Sequence, residues 1–96
     1  MLLKTTGYAL VIWEGAVLTN RHLMLSGQGD EPIAVAELDD RIPGAVLLRN
    51  VSEHTWDIDT AGESGQQVSP GHKVVARPRR IKIAGKVATI VSAPQP

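Results

Sequence analysis

The chain has 96 residues, of which 43% are hydrophobic and 21% are charged. This length accommodates one small domain, and this balance supports an apolar core and argues against a disordered chain. The sequence contains no cysteine, which excludes disulfide frameworks, zinc ribbons and thiol catalysis. We therefore expect a single domain over residues 1–92, followed by a flexible tail over residues 93–96.

The amino-terminal region lacks the layout of a signal peptide. The longest apolar run covers residues 8–13, whereas a bilayer span needs about 20 apolar residues and a secretory signal about 7–15. Lys4 follows the apolar pair Leu2-Leu3 instead of preceding it. We expect a cytoplasmic protein, or a part of an assembly built in the cytoplasm, that has no membrane contact.

Charge is unevenly distributed along the chain, although the formal net charge is zero. Residues 1–66 contain all ten acids and four bases, a net charge of −6, and residues 67–96 contain six bases and no acid, a net charge of +6. Oppositely charged surfaces steer association, so this pattern predicts a polar interaction surface or head-to-tail self-association. Alternatively, the two parts fold together and neutralise each other in cross-strand pairs.

Turn-forming residues divide the chain into short segments rich in Val, Ile, Leu and Trp. Strands of this length, separated by such turns, predict an all-β fold: a small antiparallel sandwich or barrel of short strands with Gly- and Pro-rich turns. The turn formers are Glu14-Gly15, Pro43-Gly44, Pro70-Gly71 and Ala84-Gly85, together with the longer segments 26–30 and 61–65.

Two assignments in the first half of the chain depend on local sequence pattern: a hairpin at Glu14-Gly15 and a strand within residues 31–42. Glu14-Gly15 is predicted to join strands at residues 8–13 and 16–19 in a two-residue hairpin. Residues 31–42 are ambiguous, because Asp30-Glu31-Pro32 is typical of a helix start. The alternation over residues 33–36 favours a strand, which is the preferred interpretation, and the helix stays open.

The second half of the chain alternates more clearly. Residues 54–59 place His54, Trp56 and Ile58 on one face and three polar residues on the other, the pattern of a half-buried strand. Residues 80–83 and 86–92 are predicted to be strands, with the isoleucines of the first pointing inward. We expect the sheets to stack around Trp13 and Trp56.

No motif in the sequence predicts a catalytic residue, a metal site or a cofactor. His22, His54 and His72 do not show the spacing of metal ligands. Gly27-Gln28-Gly29 is a bare G-x-G without the remainder of a nucleotide-binding motif, so we interpret it as a flexible turn.

Exposed loops and cations are the candidate binding residues. Loops 26–32, 39–44 and 60–65 are predicted to form one rim, and strand 80–86 a basic edge. One possible role of such an edge is contact with the phosphates of a nucleic acid, and binding would then weaken steeply with salt. The other is protection of an edge strand against aggregation. The candidate rim residues are Ser26, Gln28, Asp30, Arg41, Glu63 and Ser64, and the candidate basic patch is Arg77, Arg79, Arg80, Lys82 and Lys86.

Val17-Leu18-Thr19-Asn20-Arg21-His22 is similar to the segment around the catalytic histidine of trypsin-like serine proteases. Gly62-Glu63-Ser64-Gly65 resembles the Gly-Asp-Ser-Gly around their nucleophile. That chemistry needs a carboxylate to orient the imidazole, but Gly44 stands where the family has its Asp. The chain is long enough for one of the two barrels of the family. The resemblance therefore implies a catalytically incomplete half barrel.

A longer resemblance, over roughly three quarters of the chain, is to the forkhead-associated domain. The matching segments share the family's order of a strand and loop, a Trp-bearing strand and a terminal hairpin. They are Leu23-Met24-Leu25-Ser26-Gly27, Asp39-Asp40-Arg41-Ile42-Pro43-Gly44, Trp56-Asp57-Ile58-Asp59 and Arg79-Arg80-Ile81-Lys82-Ile83-Ala84-Gly85. This resemblance implies a sandwich that presents loops to a partner.

The phosphate-binding residues of that family are absent from the matching positions. Ser26 or Gly27 replaces the phosphate-binding Arg, and the Ser-Arg-x-His motif falls on Pro43-Gly44-Ala45-Val46. Recognition of phosphothreonine depends on Arg and hydroxyl donors that converge on phosphate. Because these groups are missing, the resemblance does not imply phosphopeptide binding. Arg41 is the one nearby cation that would have to take the place of the missing Arg.

The sequence as a whole favours a non-catalytic protein–protein interaction or structural assembly module, such as an accessory subunit of a larger complex. Three features favour this interpretation: the sequence has no cysteine, metal-ligand cluster or complete catalytic triad, its charge is unevenly distributed, and its small core would be stabilised by a partner. The alternatives are the incomplete protease-like barrel and electrostatic contact with nucleic acid through the basic patch.

Overall fold

A computed structural model describes residues 1–25, 29–60 and 63–91. The predicted tail, residues 93–96, lies outside these ranges. Within them the chain forms ten short strands and one short helix. In chain order they are β1 (Leu2–Lys4), β2 (Ala9–Val11), β3 (Val17–Thr19), α1 (Asn20–Leu23), β4 (Pro32–Leu38), β5 (Val46–Asn50), β6 (Trp56–Thr60), β7 (Glu63–Val68), β8 (Lys73–Val75), β9 (Arg79–Ile83) and β10 (Lys86–Val91).

The strands form two antiparallel sheets. One has six strands in the order β2-β1-β10-β9-β6-β7, and the other has four in the order β3-β4-β5-β8. Buried apolar residues from both sheets form one cluster, so burial of the two inner faces holds the sheets together. The predicted all-β fold class is confirmed.

The alternation predicted for the second half is confirmed in β6 and β9. Trp56 is 0% exposed and Ile58 is buried, while Asp57 and Asp59 lie in solvent. Strand β9 buries both of its isoleucines and leaves its cations outside or at the margin of the core. His54, which was predicted to share the buried face, is exposed because the strand begins two residues later, at Trp56.

The ambiguous segment at residues 31–42 contains strand β4, and the helical alternative is wrong. Strand β4 pairs with β3 on one side and with β5 on the other, so its backbone groups are bonded between strands and not along a helix. Its inner face carries the buried Ala34 and Ala36. Tertiary pairing on both sides therefore overrides the helix-start signal at Asp30-Glu31-Pro32.

The predicted hairpin at Glu14-Gly15 is wrong, because β2 and β3 belong to different sheets. Strand β2 pairs with β1 instead, and the turn at Gly15 (φ +88°) carries the chain across to the four-stranded sheet. There the Gly15 N–H donates to the Ala36 carbonyl at 2.9 Å, and the Ala36 N–H donates to the Ala16 carbonyl at 2.9 Å. These two backbone hydrogen bonds thus attach the turn to β4.

Trp13 does not lie in the core, contrary to the prediction. Its side chain is 55% exposed, because it follows the end of β2 at the turn where the chain changes sheets. The interior is formed around Trp56 and the isoleucines Ile33, Ile81 and Ile90, which are almost fully buried.

The loops divide between two ends of the sandwich, because each strand carries the chain from one end to the other. We name these the Asn50 end and the Trp13 end. The Asn50 end contains residues 19–25, 29–32, 50–55 and 69–73 and the turn at Ala84-Gly85. The Trp13 end contains residues 12–16, 39–45 and 76–78.

The contrast between the two tryptophans gives a stability prediction. We expect Trp56→Ala to lower the free energy of unfolding by about 3–5 kcal/mol, because it removes a fully buried ring and leaves a cavity. Trp13→Ala is expected to cost less than about 1 kcal/mol, because that ring is largely solvated. Urea denaturation of both variants checks this, and equal losses would contradict the assignment of the core.

Candidate functional site

Two of the predicted rim residues, Asp30 and Arg41, lie at opposite ends of the sandwich. Asp30 lies at the Asn50 end and Arg41 at the Trp13 end, on loops that precede and follow β4. The seven residues of this strand separate the two loops by roughly 20 Å at about 3.3 Å per residue. Ser26, Gln28 and the side chains of Glu63 and Ser64 lie outside the described part of the structure.

Each end of the sandwich instead has its own cavity. The cavity at the Asn50 end has a volume of about 350 Å³. Its lining is mainly polar and includes two exposed carboxylates and one exposed imidazole. The polar lining residues are Asn20, Glu31, Ser52, Glu53 and His54.

Asn50 holds the β5–β6 loop, which supplies Ser52, Glu53 and His54 to the lining of this cavity. Its side chain is 0% exposed, and its amide donates to the backbone carbonyls of His54 (2.7 Å) and Val68 (2.9 Å). Its carbonyl oxygen accepts from the Ser52 N–H at 3.0 Å and from the Ser52 hydroxyl at 2.7 Å. All four hydrogen-bonding positions of the side chain are thus filled.

The backbone of Asn50 adds further links across the same end. Its N–H donates to the His72 carbonyl at 2.8 Å, and its carbonyl accepts from the Gly71 N–H at 2.7 Å. Asn50 therefore ties the β5–β6 loop, the end of β7 and the β7–β8 turn to one another. Asn50 was not among the residues predicted from the sequence, although it has the same parity in β5 as the buried Leu48.

Asn20 and Glu31 hold the other wall of the cavity. The Asn20 amide donates to a Glu31 carboxylate oxygen at 3.2 Å, and the Asn20 N–H donates to the Glu31 carbonyl at 3.0 Å. Asn20 is itself buried, so helix α1 is fixed to the strand that follows it. The cavity thus has two polar walls that are each held by hydrogen bonds.

His22, the residue of the protease-like resemblance, closes the start of α1. Its Nδ1 accepts the Thr19 N–H at 2.9 Å and lies 3.1 Å from the Thr19 hydroxyl. Its ring meets that of Tyr8 edge to face, with centroids 5.3 Å apart. No carboxylate of the described residues hydrogen bonds to His22, so its contacts are those of a helix-capping residue.

The described ranges contain no group of three His, Asp or Glu side chains close enough to share a metal ion. His54 lies beside Glu53 at the Asn50-end cavity, whereas His22 belongs to α1 and His72 is exposed on the β7–β8 turn. The three histidines thus belong to three different elements of the Asn50 end.

The predicted basic patch is divided between different surroundings. Arg80 pairs with Asp59 at 2.6 Å, and Lys82 lies opposite Asp57 in the register of β6 and β9. Arg77 and Arg79 lie at the Trp13 end, whereas Lys86 begins β10 at the Asn50 end. Cross-strand pairing thus interrupts the positive stripe that binding to a nucleic-acid backbone uses.

Charges from the two halves of the sequence also meet on the outer face of the four-stranded sheet. The Glu37 carboxylate lies 2.9 Å from Lys73 Nζ and 2.7 Å from Arg49 Nε. These cations, Lys73 foremost, lower the pKa of Glu37 against the opposing effect of its desolvation. The uneven charge distribution in the sequence is therefore partly neutralised by folding.

The cavity at the Trp13 end is mainly apolar and has a volume of about 360 Å³. Trp13 and Ile42 are each 55% exposed beside it. This surface exposes two large apolar side chains at one place, which is unusual for a surface that faces only water. We name it the Trp13 surface; its main residues are Met1, Trp13, Ile42, Val46, Val75 and Arg77.

One guanidinium group lines the Trp13 surface, and a second lies near the first. Arg77 lines the cavity and is exposed, and Arg79 begins β9 half-buried. The buried Arg79 Nε has no hydrogen-bond partner among the described residues, and burial together with the charge of Arg77 lowers the pKa of Arg79. An apolar surface therefore lies beside positive charge that is incompletely neutralised.

One of the two segments that the forkhead-associated resemblance matches to phosphate-binding positions, Ser26-Gly27, lies outside the described residues. The other, Pro43-Gly44, lies at the Trp13 end.

In the described ranges, no helix has the length and apolar character needed to cross a membrane. No protein-family model matches the chain, and neither a curated protein nor a solved structure matches it. Function is therefore argued from the two ends of the sandwich.

The Asn50 network gives a second stability prediction. We expect Asn50→Ala to lower the free energy of unfolding by about 2–4 kcal/mol, because buried carbonyls of His54 and Val68 lose their donor. Asn50→Asp is expected to be at least as harmful at neutral pH, since a buried carboxylate faces two carbonyls. Gln67→Ala on an exposed edge is the control, with an expected loss below about 1 kcal/mol. Thermal and urea denaturation would contradict the network's role if Asn50→Ala matched this control.

Glu37 gives a prediction of pH dependence. Its pKa is lowered in the folded state, so its ion pairs stabilise the fold above the ordinary Glu pKa, and this stabilisation is lost as the pH falls through the folded pKa. Lys73→Met is expected to raise the pKa of Glu37 more than Arg49→Met does. Titration of the Glu37 carboxyl carbon by NMR measures both shifts, and an unchanged pKa in Lys73→Met would refute the assignment.

Proposed function

We propose that this protein is a non-catalytic protein–protein interaction module that binds its partner through the Trp13 surface. The observation that carries the proposal is the pair of exposed apolar side chains, Trp13 and Ile42, beside an apolar cavity of about 360 Å³. Large apolar side chains that converge in this way are typical of binding surfaces, and Trp is enriched among the residues that dominate binding energy.

The chemistry of the surface specifies the partner. An apolar side chain fits the cavity, and a carboxylate next to it would meet Arg77 and approach Arg79. Charge-assisted bonds to guanidinium are strong and directional, so they select among apolar segments. The expected partner is therefore a protein segment in which an acidic residue flanks a large apolar one.

The scaffold of this module is proposed to be a sandwich similar to the forkhead-associated domain. The features that support this are the buried Trp56 in β6 and the terminal hairpin β9–β10 with the inward Ile81 and Ile83. Phosphopeptide binding is not part of the proposal, since the phosphate-binding Arg and the Ser-Arg-x-His motif of that family are missing from the sequence.

The role of an assembly subunit agrees with the surfaces of the protein. The charges that could have directed long-range attraction are in part paired within the fold, as at Arg80–Asp59. Short-range apolar contact at the Trp13 surface is then the main source of affinity, and the neighbouring arginines supply specificity.

A peptide selection tests the proposal directly. Random 12-residue peptides displayed on phage are selected on the wild-type protein, and synthetic copies of the enriched peptides are measured by calorimetry. We expect apolar residues flanked by Asp or Glu, and an affinity that falls at least about tenfold in Trp13→Ala. Arg77→Glu should weaken the same peptides by removing the charge-assisted contact.

Val51→Ala is the matched control, because it shortens an exposed apolar side chain at the opposite end. It is expected to leave peptide affinity unchanged. Enriched peptides that bind Trp13→Ala and Arg77→Glu as tightly as the wild type would refute the Trp13 surface as the binding site.

A further inference from the structure

Strand β2 differs from the other strands that lie at the edges of the two sheets. The edge strands are β2 and β7 in one sheet and β3 and β8 in the other. Strand β7 carries Gln66 and Gln67, β8 carries Lys73, and the pairing of β3 with β4 is interrupted by an irregularity after Leu18. Polar residues and bulges of this kind discourage pairing with another chain. The run at residues 8–13, which contains β2, has no charged residue.

The hydrogen bonds between β1 and β2 show which groups of β2 are occupied. The Ile12 N–H donates to the Met1 carbonyl at 3.0 Å, and the Thr5 N–H donates to the Tyr8 carbonyl at 2.9 Å. Bonded and non-bonded pairs alternate in an antiparallel ladder. Leu10, midway between these two bonded pairs, is therefore also bonded to β1, opposite Leu3.

Ala9 and Val11 occupy the alternate positions, where the N–H and the carbonyl point away from β1. Within the described residues, β2 has no strand on that side. Val11 is 64% exposed and Ala9 is exposed as well. The edge therefore offers two donors and two acceptors in the spacing that a further antiparallel strand requires.

We propose that this edge pairs with β2 of a second copy of the chain. In the proposed pairing, Ala9 of one copy lies opposite Val11 of the other, with a two-fold axis at Leu10. Each of the two Ala9–Val11 pairs then exchanges two backbone hydrogen bonds, so the interface has four. The two six-stranded sheets become one continuous sheet across the dimer.

Two features identify the partner as a second copy. The outward groups of Ala9 and Val11 are complementary to themselves under two-fold symmetry, as an isologous interface requires. The formal net charge of zero gives no net repulsion between copies. This inference goes beyond the proposed function, because it concerns the edge of β2 and not the Trp13 surface.

Sedimentation equilibrium of the wild-type chain tests the pairing. We expect a dimer of twice the 10.3 kDa chain mass with a Kd below about 100 μM. Val11→Pro removes an N–H that the fold does not use, and Val11→Lys places a charge on the edge. Each is expected to weaken dimerisation at least tenfold while the dichroism spectrum and the melting temperature stay close to those of the wild type.

Val87→Lys is the matched control, because Val87 is an exposed residue on the internal strand β10 of the same sheet. It should leave the dimer intact. Amide hydrogen exchange gives an independent readout: the N–H groups of Ala9 and Val11 should exchange more slowly as protein concentration rises. If Val11→Pro does not fold, Val11→Lys alone tests the edge.

A wild-type chain that stays monomeric at about 1 mM would overturn the proposal. A dimer that survives Val11→Lys, or that Val87→Lys disrupts equally, would do the same. These results are separable from the proposed function, because Arg77→Glu should weaken peptide binding without changing the dimer. Val11→Lys should weaken the dimer without changing peptide binding.

Discussion

A buried amide must have every hydrogen-bonding position filled, and at Asn50 this requirement organises one whole end of the molecule. Desolvating an unpaired donor or acceptor costs about 1–3 kcal/mol, so the side chain tolerates one arrangement of its neighbours. That arrangement places the Ser52 hydroxyl and the carbonyls of His54 and Val68 within bonding distance. The backbone of the same residue fixes the β7–β8 turn through Gly71 and His72. The Asn50 end is therefore held by specific polar bonds, whereas the Trp13 end presents apolar side chains to solvent.

The elements of the fold that follow from local pattern could be predicted from the sequence, and those that depend on distant partners could not. Alternation in residues 56–59 and 80–83 gives both the strands and their buried faces, because the period of two is a property of the backbone. The position of Trp13 depends on where β2 ends and on which sheet receives the next strand. Pairing of β2 with β1 and of β3 with β4 decides this, and neither choice is visible in Glu14-Gly15. A large aromatic residue next to a turn is therefore a weak predictor of the core.

The candidate site shows the same division. The loops themselves could be located from Gly, Pro and Asp. Their grouping into one rim did not take into account that a single strand carries the chain from one end of the molecule to the other. Loops 26–32 and 39–44 flank the single strand β4, so the predicted strand already implied that they lie at opposite ends. Asn50 also had a usable signal, since it follows the buried Leu48 at the same parity in β5. The hydrogen bonds of Asn50 join residues up to 22 positions apart, as in its bond to His72, and only the folded chain brings these together.

Folding pairs part of the charge within the molecule but leaves apolar surface exposed. The acids of residues 1–66 and the bases of residues 67–96 meet across strands at Arg80–Asp59 and at Lys73–Glu37, so folding itself uses part of the complementarity that the sequence offers for association. Exposed pairs of this kind contribute little stability, yet they weaken the long-range field that would otherwise align copies by charge. What remains for association is short-range: the Trp13 surface, with Arg77 beside it, and the uncharged edge of β2. Because these lie at and next to the same end of the molecule, a second copy at β2 would set two Trp13 surfaces in one assembly and so give a bivalent binder.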